Sequence, residues 1–298
     1  MTQSPPDGMI EGFERRQLPG DGIMIDALVG GSGPPLLLLH GYPETRMLWR
    51  QVAPLLAGRF TLVIPDLRGY GRSDKPRGDA AHETYSKRTM ARDQIATMAA
   101  LGFDRFAVAG HDRGARVTYR LALDHPDAVT RIGILDIVPT YELWANATAA
   151  SAMAAYHWYM LAQPEPLPEK LIAGDPGFYL RHCLKSWAAP GYAFDERDVA
   201  DYVACFGDPA SIHGSCEDYR SGWTRDRAYD TADHDAGRRI EQPMLVLWGE
   251  KSGFARANPL ALWQKWGKDV RGHAVQGGHF VPEEAPDQTV AAFMDFFC

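Results

Sequence analysis

The feature that most constrains this chain is the pentapeptide Gly110-His111-Asp112-Arg113-Gly114, set behind the short apolar run Phe106 to Ala109. Such a run predicts a buried strand. Two glycines flanking a central residue predict a sharp turn, with no room for side chains on either side. Arg113 to about Asp124 then reads as a helix. A strand, a tight turn and a helix form an elbow that lifts its central residue out at the end of a sheet. That residue is Asp112 rather than Ser or Cys. A carboxylate is ionised at neutral pH, so it can attack a saturated carbon without losing a proton and leave an ester intermediate.

The surrounding sequence supplies the sheet that such an elbow requires. Phe13 to Leu18 and Ile23 to Val29 read as antiparallel strands around Gly20-Asp21-Gly22, after a loose arm over residues 1–12. Pro35 to Leu39 and Thr61 to Ile64 read as buried strands, and Trp49 to Leu56 as a helix. Ser86 predicts the cap of a helix ending near Leu101. Ile132 to Ile137 is the strand carrying Asp136. Alternation of this kind predicts a mostly parallel sheet covered by helices, an α/β class.

The alternation stops at Pro139. Up to Arg239 the chain is helical in pattern, rich in Ala, Tyr and Trp. Alternation resumes at Met244 to Trp248, then a helix over Leu260 to Trp266, a strand over Gly272 to Val275 and a last helix from about Pro286. The expected organisation is core over 1–138, an inserted helical cap over 139–239, and core again over 240–298.

Charge and composition narrow the function. A formal net charge of -7 disfavours a general nucleic-acid or anionic-membrane role. No apolar run has transmembrane length, and the first residues lack the apolar centre of a signal peptide. The four cysteines (Cys183, Cys205, Cys216, Cys298) lie far apart and read as reduced thiols of a cytoplasmic protein. No histidine shows metal-ligand spacing, so no metal is expected.

His279, in Gly277-Gly278-His279-Phe280 after the last strand, is the expected base for ester hydrolysis. Two carboxylates are candidates to orient it: Asp136 and Glu250, which follows Trp248-Gly249. Arg113 and Arg116 lie three apart at a helix start and can face one way. There the helix dipole already favours anions, so the pair suits a carboxylate.

With these residues in view, the chain resembles the α/β-hydrolase fold. The carriers are His40-Gly41-Tyr42-Pro43, Asp66-Leu67-Arg68-Gly69-Tyr70-Gly71-Arg72-Ser73, the Asp112 elbow and Gly278-His279-Phe280. Within that fold it resembles the branch of haloalkane dehalogenases and epoxide hydrolases, and more closely the fluoroacetate dehalogenases. The closer match rests on Gly110 to Arg116, Leu135 to Glu142, Tyr156-His157-Trp158 and Cys216 to Arg220.

The resemblance implies a cofactor-free hydrolysis of haloacetates, most of all fluoroacetate to glycolate and fluoride. Asp112 is then the nucleophile, His279 the base and Asp136, rather than Glu250, its acid partner. Arg113 and Arg116 bind the substrate carboxylate, where haloalkane dehalogenases typically place a halide-binding Trp after the nucleophile. His157, Trp158 and Tyr219 receive the halide, and Trp187 lines the pocket. The backbone N–H groups of Tyr42 and Arg113 form the oxyanion hole. The resemblance also implies a homodimer with a small haloacid as its only other partner. Two alternatives stay open: an epoxide hydrolase using the same Asp–His–acid set, and a non-catalytic ligand-binding member of the fold.

Overall fold

The computed structural model describes residues 8–298. Eight strands form one sheet: β1 (Glu14–Pro19), β2 (Met24–Gly31), β3 (Pro35–Leu39), β4 (Thr61–Pro65), β5 (Phe106–His111), β6 (Val129–Leu135), β7 (Met244–Gly249) and β8 (Val270–Val275). Their order is β1-β2-β4-β3-β5-β6-β7-β8. The β1–β2 and β2–β4 pairs are antiparallel, and the others are parallel. Strand β5 lies inside the sheet, flanked by β3 and β6. Leu36 to Leu39 and Val108 to Ala109 are fully buried, as strands covered on both faces must be.

Three local expectations needed correction. The loose arm falls partly on residues 1–7, outside the described residues. Its remainder is packed, with Ile10 buried and the Gly8 carbonyl accepting from Arg46 Nε at 3.0 Å. The helix expected over Trp49 to Leu56 is instead two short turns, Arg46–Trp49 and Ala53–Leu56. Pro54, which has no N–H to continue a helix, sits at the start of the second. Strand β6 ends at Leu135, and Asp136 stands just past it with φ 51°.

After β6 the chain leaves the sheet through helices from Thr140–Ala145 to Arg225–Asp235, then re-enters at β7. Parallel neighbours need such a crossover. The last of these helices is fastened to the Asp112–Asp124 helix, where Arg120 reaches Asp230 at 2.7 Å and Asp233 at 2.6 Å. On the opposite side of the cap, Arg50 pairs with Asp198 at 2.7 Å, and Thr45 Oγ1 donates to Asp201 at 2.7 Å. The cap is thus seated on the core by directional polar contacts, which fix a single orientation more than they add stability. No helix among the described residues is long and apolar enough to cross a membrane.

Candidate active site

The site is built on the C-terminal ends of β3, β5, β6, β7 and β8, where ligands gather in open α/β sheets. Asp112 takes φ 44°, a left-handed conformation that a side chain adopts only under strain. The frame around it is tight. A Cβ at Gly110 would lie 2.5 Å from the Gly114 backbone, and one at Gly114 would lie 2.4 Å from the His40 carbonyl oxygen. The buried Asp112 carboxylate accepts from the Tyr42 N–H through Oδ1 at 3.1 Å. His40 shapes the Tyr42 loop: its Nε2 accepts from Leu67 N at 3.0 Å, and its Nδ1 lies 2.9 Å from the Gly41 carbonyl oxygen.

His279 Nδ1 meets Asp136 Oδ2 at 2.7 Å, and Asp136 Oδ1 accepts from Gly249 N at 3.0 Å. The His279 Nε2 faces Asp112 Oδ2 at 3.9 Å, beyond hydrogen-bond reach. Glu250 is exposed beside Lys251 and takes no part in this arrangement. Burial by itself would lower the His279 pKa, but the hydrogen bond and charge of Asp136, with the charge of Asp112, raise it overall. Burial would raise the Asp112 pKa, yet His279, Arg113, His111 and Arg116 together hold it below the ordinary value. Behind His279, the His111 Nε2 contacts the His279 carbonyl oxygen at 2.8 Å. Burial and the neighbouring His279 push the His111 pKa down to about 4.

Arg113 and Arg116 leave the same helix face and both are buried. Their guanidiniums lie 4.7 and 4.6 Å from the centre of the Trp158 ring. Arg113 is the more constrained. Its Nε and Nη2 donate to the Asp218 carboxylate at 3.1 and 2.5 Å, and Nη2 also reaches the Asp218 carbonyl oxygen at 2.9 Å. Only its Nη1 is buried without a hydrogen-bond partner. Arg116 donates from Nη1 to Thr140 Oγ1 at 2.9 Å and to the Val138 carbonyl oxygen at 3.2 Å, leaving Nε and Nη2 unpartnered. Buried guanidinium donors without protein acceptors are costly, and an anionic ligand would satisfy them.

The cap brings His157, Trp158 and Tyr219 over the same spot. The Tyr219 ring is 5.1 Å from that of Trp158, 5.7 Å from His157 and 5.2 Å from Tyr42. The Tyr219 hydroxyl and His157 Nδ1 are buried without partners. Burial pushes the His157 pKa down to about 3, so its ring is neutral and offers one N–H. The Trp187 ring lies 4.4 Å from that of His157, tilted by 42°, and 5.9 Å from His279. Its carbonyl accepts from His279 N at 3.0 Å, tying the end of a cap helix to the loop of the base.

Sequence reasoning gave no role to Asp218, Lys87 or Tyr70. Asp218 accepts from Arg113, from the Lys87 ammonium and from the Tyr70 hydroxyl, the last at 2.7 Å. One signal was available: Lys87 directly follows the Ser86 cap, where a cation opposes the helix dipole. The expectation of no metal-ligand grouping also needs amending. Glu165, Glu169 and His213 come together with ligand atoms within 4.8 Å of one another, through folding rather than spacing. Arg77 and Arg220 already hold the two carboxylates, at 2.6 and 2.7 Å.

Comparison with known proteins agrees with this fold. The family model of the alpha/beta hydrolase fold matches residues 34–286. The chain therefore belongs to the α/β-hydrolase fold family. Within it, the chain is 45% identical to a fluoroacetate dehalogenase of Burkholderia sp., over 97% of this chain and 95% of that one. It is 34% identical to a soluble epoxide hydrolase of Corynebacterium sp. (strain C12), over 93% and 94%. A crystal structure of a candidate α/β hydrolase from Nostoc sp. PCC 7120 superposes with TM-score 0.94 at 46% identity, covering 97% of this chain and 99% of that one.

Proposed function

We propose that the chain hydrolyses the carbon–halogen bond of haloacetates, with fluoroacetate as the foremost substrate. The observation that carries this reading is the set of unpartnered guanidinium nitrogens of Arg113 and Arg116 beside Asp112. A neutral substrate would leave them unmatched, whereas a carboxylate accepts from both. With the substrate carboxylate held there, Asp112 Oδ2 attacks the adjacent carbon. The carbon–halogen pair of electrons leaves with the halide. The Trp158 indole N–H, the Tyr219 hydroxyl and the His157 N–H meet the departing anion, stabilising charge as it develops. Fluoride, compact and a poor leaving group, needs such donors most.

The ester is then hydrolysed. His279 Nε2 takes a proton from water, whose oxygen attacks the Asp112 carbonyl carbon. Oδ1 becomes the oxyanion, facing the Tyr42 N–H and the first-turn N–H of Arg113, which lacks an intrahelical acceptor. Collapse expels glycolate, which takes the proton from His279, and the Asp112 carboxyl then gives up water's second proton through the neutral His279 to solvent, which restores the carboxylate. Asp136 steadies the imidazolium between these transfers. The resemblance extends the proposal to a cytoplasmic homodimer working without a cofactor or metal.

The test is a single turnover in heavy-oxygen water with enzyme in excess. Glycolate unlabelled at its hydroxyl, with label in the Asp112 peptide, supports the ester route. Fully labelled glycolate means that water attacks directly and that Asp112 is a base. The epoxide-hydrolase reading draws on the unpartnered Tyr219 hydroxyl, which could protonate an epoxide oxygen. Diol formation from a simple epoxide, measured beside halide release from haloacetates, decides between the two.

A further inference from the structure

Asp218 raises an electrostatic problem. It holds Arg113 in place, yet its carboxylate offsets the cation that an anionic substrate needs. Asp226 adds a second buried carboxylate, accepting from Lys87 N at 2.8 Å. With Asp112 these make three carboxylates against the two arginines, and an incoming anion would be repelled. Lys87 is the third cation. It is 1% exposed, and its ammonium lies on Asp218 Oδ1, with Met90 Sδ at 3.4 Å. Asp218 is then saturated: Oδ1 takes Lys87 and Arg113 Nη2, while Oδ2 takes Tyr70 and Arg113 Nε.

We propose that Lys87 is a positioning residue that sets the site's selectivity for anions: by neutralising Asp218, it leaves the charge of Arg113 available to the substrate. The inference rests on the carboxylate reading of the Arg113–Arg116 pair. Two observations support it. A lysine at the first position of the Lys87–Ala100 helix works against the helix dipole, so helix formation does not explain it. An unpaired buried ammonium is strongly disfavoured, and this one is placed against the group that also holds Arg113. Burial and Arg113 lower the Lys87 pKa overall, and the carboxylates of Asp218 and Asp226 oppose that shift and favour the ammonium.

The test uses acetate binding, measured calorimetrically, because it needs no turnover. Lys87→Met should weaken acetate binding at least tenfold and raise the KM for haloacetate by a similar factor, with kcat much less affected. The KM for haloacetamide should not rise. Lys87→Met/Asp218→Asn removes both charges of the pair and keeps an amide oxygen for Arg113. It should bring acetate binding back to within about threefold of the parent. Lys87→Met binding acetate like the parent, or a double variant no better than the single one, overturns the inference. If Lys87→Met alone does not fold, the double variant decides: near-parent acetate binding supports the inference, and a tenfold loss overturns it. A parent enzyme that prefers acetate to acetamide yet releases no halide overturns the proposed function alone. One that does not discriminate between the two overturns both.

Discussion

Arg113 and Arg116 lie one turn apart on the same helix, yet only Arg113 meets a carboxylate, that of Asp218 at 2.5 Å. Arg116 is held by a carbonyl and a hydroxyl, with Trp158 beneath its guanidinium. The two arginines therefore do different work. Arg113 belongs both to the site and to the seam between cap and core. Arg116 is free to answer to the ligand.

Volume-conserving substitutions should separate those duties. Arg113→Met leaves Asp218 short of a buried partner and should cost about 3–5 kcal/mol of stability as well as substrate binding. Arg116→Met should raise the KM for haloacetate severely while leaving the melting temperature close to the parent's. Thermal denaturation beside steady-state kinetics checks both. Equal stability of the two variants would mean that the Asp218 contact anchors nothing.

The orientation of His279 is tested through Asp136. Its influence raises the His279 pKa, and only the neutral imidazole can take a proton from water. The acid limb of ester hydrolysis should therefore lie above the ordinary histidine value of about 6.5. Asp136→Asn should move that limb to lower pH and slow ester hydrolysis by roughly a thousandfold or more. The first burst of halide should survive. Glu250→Gln should change neither quantity. An unmoved limb in Asp136→Asn would assign the titration to another group.

The proposed halide donors predict a difference between leaving groups. Trp158→Phe keeps most of the ring over which both guanidiniums sit, but removes the indole N–H. Loss of one such donor costs on the order of a hundredfold where developing charge depends on it. The effect should be near that size for fluoroacetate and clearly smaller for chloroacetate. Equal slowing of both would make Trp158 a packing residue.

Two buried histidines should each draw stability from the fold in acid. His111 is fully buried, with its pKa held at about 4. The unfolded chain binds a proton there as pH falls through about 6.5, whereas the folded chain resists until about pH 4. Stability is therefore lost across that window, at up to about 1.4 kcal/mol per pH unit for each such histidine. His157, lowered to about 3, acts in the same direction. His279, raised, acts with the opposite sign above pH 6.5. Denaturant titrations at several pH values should show a shallower decline for His111→Gln; an unchanged slope would exclude His111 as a source.

The elbow was legible in the sequence because its constraints are local. Gly110, Asp112 and Gly114 are contiguous, and the short apolar strand before them has one sensible burial. Asp136 was harder, since Asp136 and Glu250 both follow core strands. The residues alone leave both open and the family resemblance favours Asp136; in the folded chain Asp136 takes an αL turn and receives Gly249 N, while Glu250 points to solvent. Asp218 and Lys87 could not be paired from sequence. They stand 131 residues apart, and the cap must dock before they meet. The same holds for the Arg120–Asp230 pair, whose partners come from core and cap. Side chains that meet across a docking seam leave no periodicity to read.

The left-handed backbone at Asp112 also bears on how much folding stability this activity consumes. A residue with a Cβ at φ 44° carries strain that glycine would not. Asp112→Gly should therefore melt above the parent, by an amount worth roughly 1 kcal/mol or more, while losing turnover altogether. Such a protein would be the better-folded object and no enzyme. Selection for thermal robustness alone, with no demand for catalysis, would be expected to erode this position early.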